Sequence, residues 1–266
     1  MLILGQLGWL LLSLLLLAVL QRRLHIEIQS VLWLLSRHVE IAALLFFVLF
    51  LPGILVHEIS HYLCARLLGV KTGRLSLFPK PLPNGKLRLG FVETAPTDLI
   101  RDVLIGTAPL LVGMTLIAYL AMRPLGMPAF LEFGSSKFWE VEVKFFLPLL
   151  WGELVRLPQR SDLWLWLYLI FVISSTMLPS ASDRRAWLPI AVVIGLVIAC
   201  AWLMGAGPWL IKTWERVTPW ISAIFRVLGL IFGISAMIHA LLLPPFWVMH
   251  RLLRRVSRSN VLGMTV

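Results

Sequence analysis

Residues 41–65 read IAALLFFVLFLPGILVHEISHYLCA, an apolar run whose only acidic or imidazole side chains are His57, Glu58 and His61. Crossing the hydrocarbon core of a membrane takes roughly 17 to 25 apolar residues in a helix. An ionisable group at that depth costs roughly 2.5 kcal/mol or more unless it is paired or hydrated. The run is therefore predicted to be a transmembrane helix, and the three polar residues are predicted to share one purpose.

The rest of the chain has the same apolar character. Of its 266 residues, 59% are hydrophobic and 14% are charged, whereas about a quarter are charged in soluble domains. This composition predicts an all-α polytopic membrane protein that forms one domain, residues 1–266, because the stretches between apolar runs are too short to fold alone. Six stretches are long enough to cross a bilayer: 2–20, 41–65, 103–122, 163–182, 186–210 and 227–249.

The net charge of +11 would favour nucleic acid as a partner of a soluble protein. Here the basic residues lie in short loops and in the tail 251–266, which is the positive-inside pattern of membrane proteins. The predicted partner is the lipid bilayer and not nucleic acid. The rule places the C-terminus in the cytoplasm and the mixed-charge loop 124–162 outside, but it leaves the orientation of the first span open. An apolar stripe in residues 21–40 predicts a short interfacial helix.

Residues 70–97 differ from the spans around them. Polar and apolar residues alternate in RLSLF (74–78) and in KLRLGFV (86–92), and the sequence PLPNG (81–85) lies between them. A period of two on both sides of an Asn-Gly pair predicts a β-hairpin, here a small membrane-associated one after the second span.

The sequence HEISH, residues 57–61, has the spacing of a zinc motif. Histidines four residues apart lie on one face of a helix, where both imidazoles can reach the same Zn²⁺. Glu58 would then face the open coordination position and act as the general base. His57 and His61 are therefore the predicted metal ligands, and Glu58 is the predicted catalytic residue.

Catalytic zinc usually has three protein ligands, so one ligand must come from elsewhere in the chain. Asp183 is the preferred candidate, because a carboxylate completes a His-His-acid set and residues 179–182 form a turn at the end of the fourth predicted span. Cys64, His239 and Glu93 are the alternatives, with packing roles expected for Cys64 and His239 and a solvated position for Glu93.

With these features in place, the chain resembles the site-2 protease family of intramembrane zinc proteases. The resemblance is carried by HEISH (57–61), by the hairpin segment 75–92, by IGTAPLLVG (105–113) and by TMLPSASD (176–183), in the order the family has them. The similarity covers residues 40–190, which would form the core. Residues 1–39 and 190–250 would be accessory helices, and 251–266 a cytoplasmic tail.

The resemblance implies hydrolysis of a peptide bond in or near a transmembrane segment of a membrane-protein substrate, with His57, His61 and Asp183 holding Zn²⁺. It also implies that the hairpin clamps an extended substrate segment by strand addition. The chain departs from the family at three points. No Asn lies near Pro109, Thr176 stands where the family usually has Asn, and Arg184-Arg185 replace the usual Gly. A divergent member is therefore predicted.

The sequence leaves two other functions open. One is a membrane-embedded zinc protease that trims soluble or lipidated peptide ends, and the other is a non-enzymatic membrane protein that binds a metal. Residues 1–20 lack the features of a presequence or a cleaved signal peptide, which favours a bacterial or archaeal plasma membrane as the location.

Overall fold

The computed structural model describes residues 2–76, 80–81, 87–88, 90–122 and 162–262. These residues are mostly helical, as predicted. Nearly all of the 124–162 loop and the tip of the predicted hairpin lie outside them. The elements in chain order are α1 (Leu2–Ser36), α2 (Val39–Leu67), β1 (Thr72–Ser76), β2 (Lys80–Pro81), β3 (Leu87–Arg88), β4 (Phe91–Thr94), α3 (Leu99–Met122), α4 (Leu163–Thr176), α5 (Trp187–Ala201), a π-helical turn (Trp202–Ala206) and α6 (Gly207–Leu262).

Four helical segments among the described residues are long and apolar enough to cross a membrane. They are α1, α2, α3 and the run Trp187–Val256, which joins α5 to α6 through the π-helical turn. Within that turn Gly205 has a φ of 87°, a left-handed conformation that breaks the helix and that glycine adopts readily. Helix α4 is a shorter apolar helix of 14 residues. A membrane protein is supported, while the count of six spans stays a prediction.

The predicted interfacial helix over residues 21–40 is wrong. Helix α1 continues without a break from Leu2 to Ser36. Within the apolar stripe, Ile28 and Val31 are buried in the molecule, on the helix that packs along α6, whereas Ile26 and Leu35 are exposed. Near the far end of this contact, Glu27 bonds to His250 of α6 at 2.6 Å. Packing within the molecule therefore explains the buried part of the apolar stripe.

The fourth predicted span is shorter than expected, because α4 ends at Thr176 and residues 177–182 are not helical. The last predicted span and part of the tail lie in one helix, α6, which has 56 residues. Helix α5 has no buried residue and contacts α3. These differences arise at helix ends, where an apolar sequence alone does not fix the boundary.

Helices α2, α3 and α4 form the centre of the molecule, with α1 and α6 packed beside them. In a bilayer, helices associate through close packing of small residues more than through burial of apolar surface. Gly53 provides such a contact: a methyl group there would collide with the Val172 carbonyl of α4. The two helices can therefore approach closely beside the HEISH segment. Fully buried core side chains include Leu17, Phe50, Ile117, Ile170 and Val172.

The strands confirm the pairing expected of the hairpin. Strand β1 pairs antiparallel with β4, with Leu75 opposite Val92 and a register shift between Thr72 and Leu75. The short strands β2 and β3 pair antiparallel farther along the same segment. Both outer strands, β1 and β4, contact α2, so the small sheet lies next to the helix that carries HEISH.

Candidate metal centre

His57 and His61 lie one turn apart on α2 and point their Nε2 atoms toward each other. These two atoms are 3.2 Å apart, and the ring centroids are separated by 4.8 Å. This proximity follows from the helix itself, because side chains at i and i+4 share a face. The predicted pair of imidazole ligands is therefore assembled by local structure alone.

Asp183 joins the pair from the turn between α4 and α5. Its Oδ1 lies 3.5 Å from Nε2 of His61, and its Oδ2 lies 3.8 Å from Nε2 of His57. Together the three residues form the group that could hold a metal ion, with ligand atoms within 4.8 Å of one another. Ligands bound to zinc at 2.0–2.2 Å with tetrahedral angles lie roughly 3.3 to 3.6 Å apart. The observed separations of 3.2, 3.5 and 3.8 Å lie at or within about 0.2 Å of that range.

Backbone carbonyls fix which nitrogen of each histidine is available. Nδ1 of His57 lies 2.7 Å from the Thr176 carbonyl oxygen, and Nδ1 of His61 lies 2.9 Å from that of Ile105. A carbonyl can only accept, so both Nδ1 atoms carry the donated proton and both Nε2 atoms present lone pairs. Two such lone pairs beside a carboxylate repel one another unless a proton or a metal ion lies between them. The donor set therefore suits a cation.

The carbonyl that orients His61 is made available by a proline. In an α-helix the Ile105 carbonyl would accept from the N–H of residue 109, but Pro109 has no N–H to donate. The oxygen is left free to accept from His61. The motif IGTAPLLVG thus contributes to the site through its main chain.

The carbonyl that orients His57 is made available by a helix end. The last four carbonyls of a helix lack partners within it, and Thr176 is the final residue of α4. The next turn does not satisfy its oxygen, because the N–H of Ser180 donates instead to Asp183 Oδ2 at 2.7 Å. The imidazole of His57 therefore caps the C-terminal end of α4.

Asp183 is held in place by the same turn. Ser180 donates its N–H and its hydroxyl to Oδ2, the latter at 2.6 Å. Burial raises the pKa of the Asp183 carboxyl, but the neighbouring imidazole of His61 and the hydrogen bonds from Ser180 hold that pKa well below its usual range. Gly106 of α3 lets this turn approach, since a methyl group there would overlap the Asp183 carbonyl oxygen. The carboxylate is thus ionised, which is the form that binds a metal.

Glu58 is buried, with 8% of its surface exposed, although its side chain ends in a carboxyl group. It follows His57 on α2, and the chain leading into β4 passes beside its carboxyl group. A methyl group added at Gly90 would lie 2.9 Å from Glu58 Oε1. The sheet therefore borders the proposed general base directly.

The alternative third ligands are placed elsewhere, and the metal-binding group found among the described residues contains none of them. His239 is fully buried and bonds to Ser175 and Ser235. The carboxylate of Glu93 accepts the backbone N–H of Arg74. Cys64 is partly buried and packs near Ala65 and Val70. The packing role expected for His239 is confirmed, and Asp183 is the acid that joins the histidines.

No protein-family model, curated protein or solved structure matches this chain. Membership of the site-2 protease family therefore stays a prediction that rests on the residues themselves.

The sequence alone does not identify the residues that support Asp183. Ser180 is predicted only as part of a turn, and no pattern in the sequence marks Asp102. Arg185 forms a two-pronged ion pair with Asp102 at 2.7 and 2.8 Å, which ties the Asp183 turn to the first turn of α3. The signal available in advance was the Arg184-Arg185 pair beside the predicted ligand, but its partner is 83 positions away.

Proposed function

We propose that this chain is an intramembrane zinc metalloprotease of the site-2 protease kind. The observation that carries the proposal is the convergence of His57, His61 and Asp183, with Glu58 next to the first histidine on the same helix. Helices apolar enough to span a bilayer surround this group. A hydrolytic metal site within such helices needs a substrate that also lies in the membrane.

Zinc is the metal that the ligand set favours. Two imidazole nitrogens and one carboxylate leave a fourth tetrahedral position open, which is the arrangement of catalytic rather than structural zinc sites. Each imidazole also donates its other N–H to a backbone carbonyl, as metal-bound histidines usually do. Bound zinc would supply a Lewis acid that activates water and polarises a peptide carbonyl.

The protein's own contribution to hydrolysis is proton transfer and positioning. Glu58 would take a proton from the attacking water at a carboxylate oxygen and pass it to the leaving amine nitrogen. Its burial beside Gly90 keeps it close to the sheet, where an extended substrate segment could pair with a strand edge. The scissile bond would then lie between the sheet and the metal ligands.

The predicted setting is a prokaryotic plasma membrane, with the C-terminus in the cytoplasm because the final helix ends in a cluster of arginines. The substrate class that follows is a membrane protein whose transmembrane helix can unwind locally. Peptide bonds inside an intact helix are shielded by their hydrogen bonds, so unwinding has to precede cleavage.

Replacing Glu58 with Gln tests the proposal. The Glu58→Gln variant keeps the shape of the side chain but removes its ability to accept a proton. We expect cleavage of single-span model transmembrane peptides by the zinc-loaded chain in detergent to fall about 10²- to 10⁴-fold. The zinc content, measured by mass spectrometry, should stay at one ion per chain. Glu40→Gln, at the start of the same helix, is the matched control and should cleave normally.

The cleavage positions separate the three functions. Cuts within the apolar segment support intramembrane proteolysis, whereas cuts confined to the soluble flanks support an enzyme that trims exposed ends. Zinc binding without cleavage of any peptide, or full activity in Glu58→Gln, would contradict the proposal. If a Val92→Pro variant binds zinc and still cleaves, the proposed pairing of the substrate with a strand edge is contradicted.

A further inference from the structure

Polar side chains from α1 and α6 meet at the C-terminal end of α4. Gln21 of α1 donates its amide N–H to the Ser175 carbonyl at 2.5 Å. His239 of α6 lies 2.8 Å from the Ser175 hydroxyl, and its Nδ1 is 2.7 Å from the Ser235 carbonyl. Residue 175 precedes Thr176, whose carbonyl orients the metal ligand His57. The contact thus lies one residue before the carbonyl that orients His57.

The direction of these hydrogen bonds follows from their partners. The Ser235 carbonyl can only accept, so Nδ1 of His239 donates to it and Nε2 carries a lone pair. The Ser175 hydroxyl must then donate to Nε2. A serine within a helix often bonds back to its own preceding turn, but this hydroxyl instead reaches across to another helix. His239 therefore fixes the side chain of Ser175 from a fully buried position.

We propose that His239, with Gln21, is a positioning residue for the metal centre: by holding Ser175 from two sides it fixes the carbonyl of Thr176 that orients His57. A helix end is the part of a helix that frays most readily, because its last carbonyls have no partners within the helix. Here one of those carbonyls has to keep a fixed direction toward an imidazole. Side chains from two other helices supply that restraint.

A role in joining α1 to α6 does not explain His239. Those two helices pack along much of their length, and Glu27 already links α1 to His250 of α6. Both ring nitrogens of His239 form hydrogen bonds, Nδ1 within α6 and Nε2 toward α4. The bond to Ser175 is the one that reaches the helix carrying the orienting carbonyl.

This inference rests on the metal centre of the proposed function but not on its proteolytic step, so it is tested by metal binding. Zinc affinity of the full chain in detergent is measured by competition with a chromophoric chelator. The absorption spectrum of the cobalt-substituted chain reports on the ligand geometry. His239→Leu removes the acceptor, and Ser175→Ala removes the donor, so the second variant keeps the test valid if the first fails to fold.

We expect His239→Leu and Ser175→Ala each to lower zinc affinity about 3- to 10-fold and to shift the cobalt bands, with no further loss when they are combined. His239→Gln keeps an acceptor near the Nε2 position and should restore both readouts. His250→Leu, the matched control, removes an α1–α6 contact that does not touch α4 and should leave them unchanged.

Three outcomes would overturn the inference. One is wild-type affinity and spectrum in both His239→Leu and Ser175→Ala, and another is an equal loss in His250→Leu. The third is failure of His239→Gln to restore the cobalt spectrum. If instead the wild-type chain binds zinc no better than His57→Ala, the metal centre itself is rejected, which is a distinct result.

Discussion

His57 and His61 make the same kind of bond in two different ways. Each donates Nδ1–H to a backbone carbonyl, but the carbonyl beside His61 is freed by Pro109 within α3, whereas the one beside His57 is freed by the end of α4. A proline releases a single carbonyl and leaves the helix continuous on both sides. A helix end releases several carbonyls together, and each needs another partner.

Each histidine and the carbonyl that orients it form one half of the site, and the two halves gain their rigidity from different parts of the molecule. The half around His61 needs only α2 and α3, which provide the imidazole and the carbonyl. The half around His57 depends on the neighbours that satisfy the end of α4, among them Gln21 of α1. Changes in the outer helices should therefore disturb the orientation of His57 more than that of His61.

Close helix contacts offer the strongest test of this comparison. Alanine at position 106 would overlap the Asp183 carbonyl and push a ligand away from His61, while alanine at position 53 would overlap the Val172 carbonyl and push α4 away from His57. Overpacking of this kind typically costs about 1–3 kcal/mol. We expect Gly106→Ala to lower zinc affinity about 100-fold and Gly53→Ala about 10-fold, since the latter moves only an orienting carbonyl.

The control for this pair is Gly195→Ala in α5, where an added methyl group meets nothing within 4 Å. Its zinc affinity should equal that of the wild-type chain, and its melting temperature should not fall, because alanine favours a helix over glycine. Equal losses in Gly53→Ala and Gly106→Ala would show that the two halves are not supported differently. Chelator competition gives the affinities.

Pro109→Ala sharpens the comparison from the His61 side. The new N–H at position 109 would compete with His61 for the Ile105 carbonyl, while the helix regains a hydrogen bond that proline denies it. We expect zinc affinity to fall about 3- to 10-fold. Thermal stability of the zinc-free chain should stay the same or rise, because an interior proline weakens a helix.

The opposite signs of the two effects in Pro109→Ala make it diagnostic. A variant that simply damaged the fold would lose affinity and stability together. Pro52→Ala is the matched control, since Pro52 lies inside α2 as Pro109 lies inside α3, and the carbonyl it frees is not bonded to either histidine. Unchanged zinc affinity in Pro109→Ala would show that the missing N–H of Pro109 is not needed to orient His61.

The sequence was a good guide wherever a local pattern decides structure. The i, i+4 spacing of His57 and His61 and the period-two strands on either side of the hairpin need only nearby residues, and both are found in the structure. The extent of α1 was not predictable in this way, because its second half is stabilised by α6, more than 200 positions away in the chain. Hydropathy could not distinguish a membrane surface from a partner helix.

The site shows the same division. Asp183 could be predicted because a histidine pair needs an acidic third ligand, and few acidic residues follow an apolar span. The orienting carbonyls of Ile105 and Thr176 could not, since main-chain atoms leave no mark in the sequence. Their signals were indirect: Pro109 removes an N–H four residues after one carbonyl, and Pro179 follows the other closely enough to end a helix.

The smallest expected effect concerns the turn that both halves share. Arg185 pairs with Asp102 across the turn that carries Asp183, but its side chain is 62% exposed, so solvent weakens the attraction. We expect Arg185→Gln to lower zinc affinity less than about 3-fold at low salt and to have no effect at high salt, where exposed charges are screened. The double variant Arg185→Asp with Asp102→Arg should restore the wild-type affinity.

Arg101→Gln is the matched control for this ion pair. Arg101 also pairs with an exposed aspartate, Asp98, at 3.3 Å near the start of α3, but that pair does not reach the Asp183 turn. Its loss should leave zinc affinity unchanged at any salt concentration. A large or salt-independent loss in Arg185→Gln would mean that the arginine holds Asp183 through geometry rather than charge. The turn would then belong with Gly106 among the strong supports of the His61 half, and the contrast between the two halves would widen.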